Sequence, residues 1–444
     1  MKYRLIILIT FALCWALLPP SSPAAAADKQ SSSRLLTLET AIQETLANHP
    51  LRQAALEQQL AAKASSSAAK ADLLPKLTTS YSYFRLNSQP YFRINPVGKI
   101  PYSDKDVNIW SIRAVQPLFT GLRLTTRNKM AGLELKGKKL AREQLSLDLV
   151  KNTKLAYYQI FLAQKHLMVA GKTVSDLTQH EADTVALYQQ GIVAYNDLLQ
   201  ARVALAQARR LEEGARRDLE IAKAQLNLLM NHDIEENFEV EKVKVELDDS
   251  GHELQPLYEE ALSRRPEIKH LEVKLEEAGM AVTMVKGEFY PTVSLVGSYQ
   301  QIGDNFGGKR NHYMNSDTAT VGIMADWTFF EWGKTRAQAQ ARQHQQQALK
   351  KQLEAVANRI RLEVKIAVSD LKLARVNTRT AEAAVEQAEE NYRMTNLQYK
   401  QQIANSTTLL DAATFLERSR NNYYDSLYGY LMARAELDRA LGRR

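Results

Sequence analysis

The sequence predicts a mixed α and β membrane protein, internally duplicated, with long α-helical coiled-coil hairpins and four strands of membrane-barrel type. Three observations predict it. The stretch Lys334–Arg443 contains no proline, and its only glycines are Gly429 and Gly442, so it is free to stay helical over a length no globular core needs. The plan of the first half recurs in the second at a shift of 211 to 216 residues. Four stretches alternate apolar and polar residues with period two.

Taken in order, residues 1–27 read as a secretory signal peptide. Lys2 and Arg4 form a basic start, Leu5–Leu18 an apolar core, and Ala25-Ala26-Ala27 a small-residue cleavage site. The only cysteine, Cys14, lies inside that core, preceded by Leu13 where a lipid-attachment signal needs a small residue; a cleaved chain therefore has no thiol chemistry. Residues 28–34 are polar and terminal and read as disordered. Thr37–Leu74 is helical with a break at His49-Pro50. Strands follow at about 76–86 and 107–119, and the proline-free run Leu118–Gln255 supplies a very long helix and a returning one.

The first structural repeat spans 28–230, a linker on the outside of the bundle spans 231–255, and the second repeat spans 256–444. Within the linker, Phe238–Leu247 alternates cleanly and predicts an extended segment. In the second repeat Arg265-Pro266 answers to His49-Pro50, and Tyr290-Pro291 to Leu74-Pro75. The returning helices match at a constant shift of 211, with Leu198, Ala201, Leu205 and Ala208 answering to Leu409, Ala412, Leu416 and Ser419. Such in-register repetition is the mark of internal duplication. The outgoing arm of Lys334–Arg443 carries Val364, Ala367, Leu371 and Ala374 at 3-4 spacing, a coiled-coil seam. At about 1.5 Å per residue, an arm of roughly 65–70 residues reaches about 100 Å.

The second strand pair is expected at about 292–301 and 320–330. Val321, Ile323, Ala325, Trp327 and Phe329 fall on one face of the last strand, with Thr320, Gly322, Met324, Asp326 and Thr328 on the other. Strands of about ten residues with one apolar face and aromatic ends match a membrane barrel. Trp110, Trp327 and Trp332, the tryptophans beyond the leader, lie in or beside these strands, as an interfacial girdle requires. Four strands cannot close a barrel, and lipid does not tolerate open edges, so the chain either leaves the membrane or pools its strands with other copies.

The net charge of +8 falls to +6 without Lys2 and Arg4, and the basic residues are scattered among glutamates along the helices. This is a solvated face rather than a nucleic-acid groove. Gly303–Lys309 fits seven positions of a phosphate-binding loop, but Arg310 stands where Ser or Thr belongs, and a polar loop follows instead of a helix. The histidines lack zinc spacing, His312 beside Tyr313 and Met314 being the one with metal potential. No nucleophile motif or paired-carboxylate site stands out, so neither an enzyme nor a cofactor is expected.

With these features in place, the mature chain resembles the TolC-like outer-membrane efflux and secretion channels of Gram-negative bacteria. The resemblance rests on the duplicated plan and on an ordered set of phrases: Leu118-Phe119-Thr120-Gly121, Tyr188-Gln189-Gln190-Gly191-Ile192-Val193 and Leu410-Asp411-Ala412. It implies a homotrimer with a 12-stranded barrel in outer-membrane lipid, continued by a helical tunnel across the periplasm. It also implies a periplasmic adaptor (membrane fusion) protein that joins the duct to an inner-membrane transporter. Asp411 matches one gate aspartate of the family, the other position being Thr408. Tyr399 and Asp197 match residues that help lock the mouth, while Ala404 replaces the arginine partner of Asp197. Three copies of a carboxylate round a narrow pore favour cations. Asp411 and Asp197 also suit the first turns of the returning helices. The adaptor would dock at the helix turns, Gly191, Ile192 and Val193 in one and Gln402 and Ile403 in the other. Since only the first has a helix-ending glycine, the two turns are expected to differ in shape. A second reading keeps the chain soluble, as a periplasmic coiled-coil adaptor or scaffold whose strand pairs make a small sheet.

Overall fold

The computed structural model describes residues 34–248 and 253–444. The expected leader, Cys14 and residues 28–33 lie outside the described residues, as does part of the 231–255 linker.

Each repeat begins with two short helices separated at an X-Pro pair. These are α1 (Leu38–Asn48) and α2 (Pro50–Ala71) in the first repeat. Thr37 caps α1 in a reciprocal box with Thr40, and His49 Nδ1 accepts from the Leu51 amide at 3.2 Å to open α2. In the first repeat, strands β2 (Lys76–Arg85) and β5 (Asp106–Phe119) lead to α3 (Arg123–Gln189), 67 residues, and α4 (Tyr195–Met230), 36 residues. The second repeat has α5 (Leu254–Arg264), α6 (Pro266–Lys286), β7 (Thr292–Gly303) and β8 (Asp317–Asp326). It ends with α7 (Lys334–Lys400) and α8 (Ser406–Leu441), again 67 and 36 residues. The long hairpins thus repeat residue for residue at a shift of 211.

The duplication reaches the backbone. Left-handed residues occur at Gly121 and Leu122 before α3, and at Trp332 and Gly333 before α7. They recur at Gly191 and Gln402 after the outgoing helices, and at Asn231 and Gly442 after the returning ones. At a shift of 211 these form four pairs, and each pair holds one glycine. The strained turn is retained in both repeats, although only one member of each pair has the residue that adopts it freely.

The sheet has the order β2-β5-β7-β8, antiparallel throughout, so the two repeats join at β5–β7. Its register places Leu77, Ala114, Gly297 and Val321 on one ladder and one face. On the neighbouring ladder Thr78, Arg113, Ser298 and Thr320 occupy the other face. Many apolar side chains of the first face have no cover within the chain, with Leu77 76%, Val321 82% and Ile323 71% exposed.

The structure revises several sequence expectations. Strand β8 ends at Asp326, not 330, because its partner β7 starts at Thr292, immediately after Pro291, and Asp326 is already paired with Thr292. Arg34, expected to be disordered, belongs to β1 (Arg34–Leu36), which pairs in parallel with β6 (Phe238–Val240). The extended segment expected over 238–247 is therefore a regular strand only over its first three residues. Beyond them Val243, Val245 and Leu247 still pack on the main core. A small hairpin, β3 (Tyr91–Ile94) with β4 (Gly98–Pro101), occupies the loop between β2 and β5. Gly303–Lys309 is a turn-rich loop at the end of β7 with no helix after it, so the phosphate-loop match is fortuitous.

The main core sits midway along the outgoing helices and toward the ends of the returning ones, where Tyr157, Ile160 and Phe161 of α3 meet Leu226 and Met230 of α4, Ile360 and Val364 of α7, and Tyr430 and Leu437 of α8. The Tyr157 hydroxyl donates to the carbonyls of Leu36 and Glu241, fastening β1 and the linker to the bundle. Beside the core lies a charged network. Arg265 contacts Glu267 at 2.8 Å and Glu363 at 2.5 Å, and Arg439 contacts Asp148 at 2.6 Å and Glu267 at 2.7 Å. Arg265 is 4% exposed, so these charges are partly or fully withdrawn from water and must satisfy one another. Among the described residues no helix is long and apolar enough to cross a membrane.

Candidate functional site

The expected gate and docking residues gather at the far end of the two long hairpins. Both turns are Schellman motifs. In the first, the Ile192 amide donates to the Leu187 carbonyl (3.0 Å) and the Gly191 amide to Tyr188 (2.9 Å). In the second, the Ile403 amide donates to Gln398 (2.8 Å) and the Gln402 amide to Tyr399 (2.9 Å). Gln402 adopts φ 62° where Gly191 has 72°, so the expectation that the turns differ in shape is wrong. The paired carbonyls hold Gln402 in the left-handed region at a cost of about 1 kcal/mol.

What differs is the side chains. At the first tip Tyr188 and Tyr195 pack ring to ring at 5.5 Å and stay exposed. Their repeat mates at a shift of 211 are Tyr399 and Ser406, both buried. The Tyr399 hydroxyl shares a hydrogen bond of 2.9 Å with Thr184 Oγ1, and its ring meets His180 edge-on at 4.9 Å. His180 Nε2 in turn lies 3.0 Å from Ser406 Oγ. These four side chains tie the second tip to α3. Burial pushes the His180 imidazole below its ordinary pKa, with Asp183 pulling the other way. Burial pushes the Tyr399 phenol up, the Thr184 hydrogen bond opposes this, and the charge of Asp197 adds to the rise. Sequence reasoning found Tyr399 but missed His180, Thr184 and Ser406. Their signal was available as polar residues on an apolar seam, with Ser406 and Tyr399 inside the break and its flank.

Asp197 is half-buried in the first turn of α4, with no ion pair among the described residues. Asp411 is exposed and lies beyond the first turn of α8, which holds no acid, so N-terminal stabilisation suits Asp197 and not Asp411. Thr408, the repeat mate of Asp197, gives its amide (2.9 Å) and hydroxyl (2.8 Å) to Asn405 Oδ1 and so completes the helix cap. Thr407 Oγ1 donates to Gln200 Oε1 at 3.1 Å, a link between the two returning helices. Ile192 and Ile403 project at the tips, 44% and 72% exposed, with Val193 half-buried beside Ile192.

At the other end of the molecule the aromatic residues form two belts. Trp110, with its Nε1 donating to the Phe306 carbonyl at 2.7 Å, packs on Tyr81 near the loop end of the sheet. Trp327 donates to the Phe289 carbonyl at 3.1 Å at the helix end, and Trp332 beside it is 90% exposed. On the strand register Trp110 lines up with Gln301 and Asp317, ten residues before Trp327. At about 3.4 Å per residue and a tilt of about 40°, that is roughly 26 Å of height, close to the apolar band of a membrane barrel. In the outer loops Asp104, Asp304 and His312 bring ligand-type atoms within 4.8 Å of one another, and Arg310 already holds Asp304 at 2.7 Å.

The sequence profile of the outer membrane efflux protein family matches residues 41–232 and again 257–443, once per repeat. The chain belongs to the outer membrane efflux protein family. It is 24% identical over 401 residues to AprF, an alkaline protease secretion protein of Pseudomonas aeruginosa, covering 88% of this chain and 81% of that one. Its fold is that of CusC, with a TM-score of 0.79 at 18% identity over 96% of this chain and all of the other. The CmeC outer membrane channel of Campylobacter jejuni has a TM-score of 0.77 at 17% identity, over 96% and 93% of the two chains. Membership in this family of transport proteins locates the chain in the outer membrane, extending into the periplasm.

Proposed function

We propose that three copies of this outer membrane efflux protein form one duct. Their twelve strands make a barrel in the outer membrane, and their long helices make a tunnel that opens at the gated mouth described above. The sheet carries this reading. Its edges, β2 and β8, run antiparallel to each other, since they end a row of four antiparallel strands. The β8 edge of one copy can therefore pair with the β2 edge of the next and continue the same pattern until the ring closes. The uncovered apolar face, bounded by aromatic belts roughly 26 Å apart, meets lipid, and the hydroxyl-rich face lines the lumen.

At the far end, the tips carrying Gly191, Ile192 and Val193, and Gln402 and Ile403, dock a periplasmic adaptor that couples the duct to an inner-membrane transporter. Asp411, Asp197 and the Tyr399 latch form the constriction, while Thr408 serves as a cap. The duct does no chemistry; cargo crosses periplasm and outer membrane in one passage, as the names of the secretion protein AprF and the CmeC outer membrane channel suggest. A soluble adaptor or scaffold does not account for an apolar sheet face left uncovered between two aromatic belts.

Planar-bilayer recording of the detergent-extracted protein tests this. Discrete conductance steps are expected. A water-soluble protein with no channel activity would overturn it.

A further inference from the structure

The lumen-facing side of the sheet is nearly free of charge between its ends. One ladder of paired residues runs Thr78, Arg113, Ser298, Thr320, and the next toward the loops runs Ser80, Ser111, Gln300, Thr318. Lys76, at the helix end of the same face, is held by Asp72 at 2.9 Å. Arg113 is exposed and has no ion pair among the described residues. Its ladder neighbours are neutral hydroxyl groups, with Ser298 Oγ and Thr320 Oγ1 2.6 Å apart and Thr78 Oγ1 donating to the Arg113 carbonyl at 3.4 Å. The other face, with Leu77, Ile112 and Val321, belongs to the lipid, so the guanidinium has only the lumen to enter.

We propose that Arg113 is an oxyanion contact in the outer lumen, and that the duct passes, and briefly holds, solutes carrying carboxylate or phosphate groups. This rests on the trimeric duct reading. An uncommitted guanidinium presents five N–H donors in a planar fork that matches an oxyanion bidentately, and the flanking hydroxyls can add further donors. Twelve strands spaced about 4.8 Å and tilted about 40° close a backbone cylinder roughly 24 Å across. With three arginine side chains reaching inward, a solute on the axis passes within the screening length of about 8 Å. The charge is opposite in sign to Asp411 and Asp197 at the mouth, so the two ends of the passage act on cargo differently.

The test uses the full-length trimer in planar bilayers, with tripolyphosphate added on the side of the outer loops and the reversal potential measured in a potassium chloride gradient. Tripolyphosphate is expected to block the wild-type current reversibly. Arg113→Gln should weaken the block about tenfold through loss of a charge-assisted bidentate contact. Arg113→Glu should in addition move the reversal potential toward cations, and Arg113→Lys should keep the wild-type potential. Because Lys keeps the charge of Arg113 and Gln removes it, that pair decides the question even if the Glu variant does not assemble. Equal block and equal reversal potential in the wild type and Arg113→Gln would overturn the assignment. Failure of the wild type to form any channel would instead remove the duct itself.

Discussion

Glu267 shows how the fold uses charge. Burial pushes its carboxyl up, but the hydrogen bonds and charge of Arg265, a backbone N–H and the charge of Arg439 outweigh that and hold it at about 2, against 4.5 for a free glutamate. A carboxyl whose folded pKa is depressed stabilises the protein above the unfolded value and loses that contribution as pH falls through the folded one. The stabilisation is thus full above about pH 4.5 and disappears toward pH 2, with an amplitude of about 3 kcal/mol. Thermal unfolding in detergent at pH 6 and pH 2.5 checks this. The wild type should lose more stability between the two than Glu267→Gln, and equal losses would contradict the network. The sequence marked Arg265 only as the residue before a helix-breaking proline. Its partner Glu363 and the Arg439–Asp148 pair come from distant helices, and no local pattern announces a contact made only when those helices pack. The left-handed positions were half legible for a related reason. Gly121, Gly191, Gly333 and Gly442 advertise their conformation, whereas their repeat mates Trp332, Gln402, Leu122 and Asn231 are held in it by their surroundings.

At the scale of elements, helix periodicity was the clearest signal, because an apolar seam sustained over dozens of residues leaves no competing structure. Tertiary pairing was the weakest. Strand β1 is three residues long and exists only against β6, and β3–β4 is a short hairpin inside a loop. The end of β8 is set by where β7 begins rather than by its own alternation. The latch at the mouth was visible only as Tyr399, since His180 and Thr184 lie on another helix, over 200 residues earlier. Its hydrogen bond to Thr184 is a neutral one, worth about 1 kcal/mol. Tyr399→Phe keeps the packing on His180 and removes that bond. It should increase the time spent in larger-conductance states about fivefold per latch, read from single-channel records. An unchanged distribution of states would take the Tyr399–Thr184 contact out of the gate.

For the whole molecule, duplication explains most of what the sequence disclosed. Two copies of one plan give two hairpins of equal length and two strand pairs, and joining them at β5–β7 leaves free edges of complementary direction. What one chain cannot provide is closure, and this is why so much apolar surface on Leu77, Val321, Ile323 and Trp332 is exposed. Lipid is expected to cover this surface, and two further copies the edges. The most direct measurement is the protein mass of the detergent-extracted particle, determined with the bound detergent subtracted. Three chains per particle is the predicted result. A single chain, or a particle that needs no detergent to stay in solution, would contradict it.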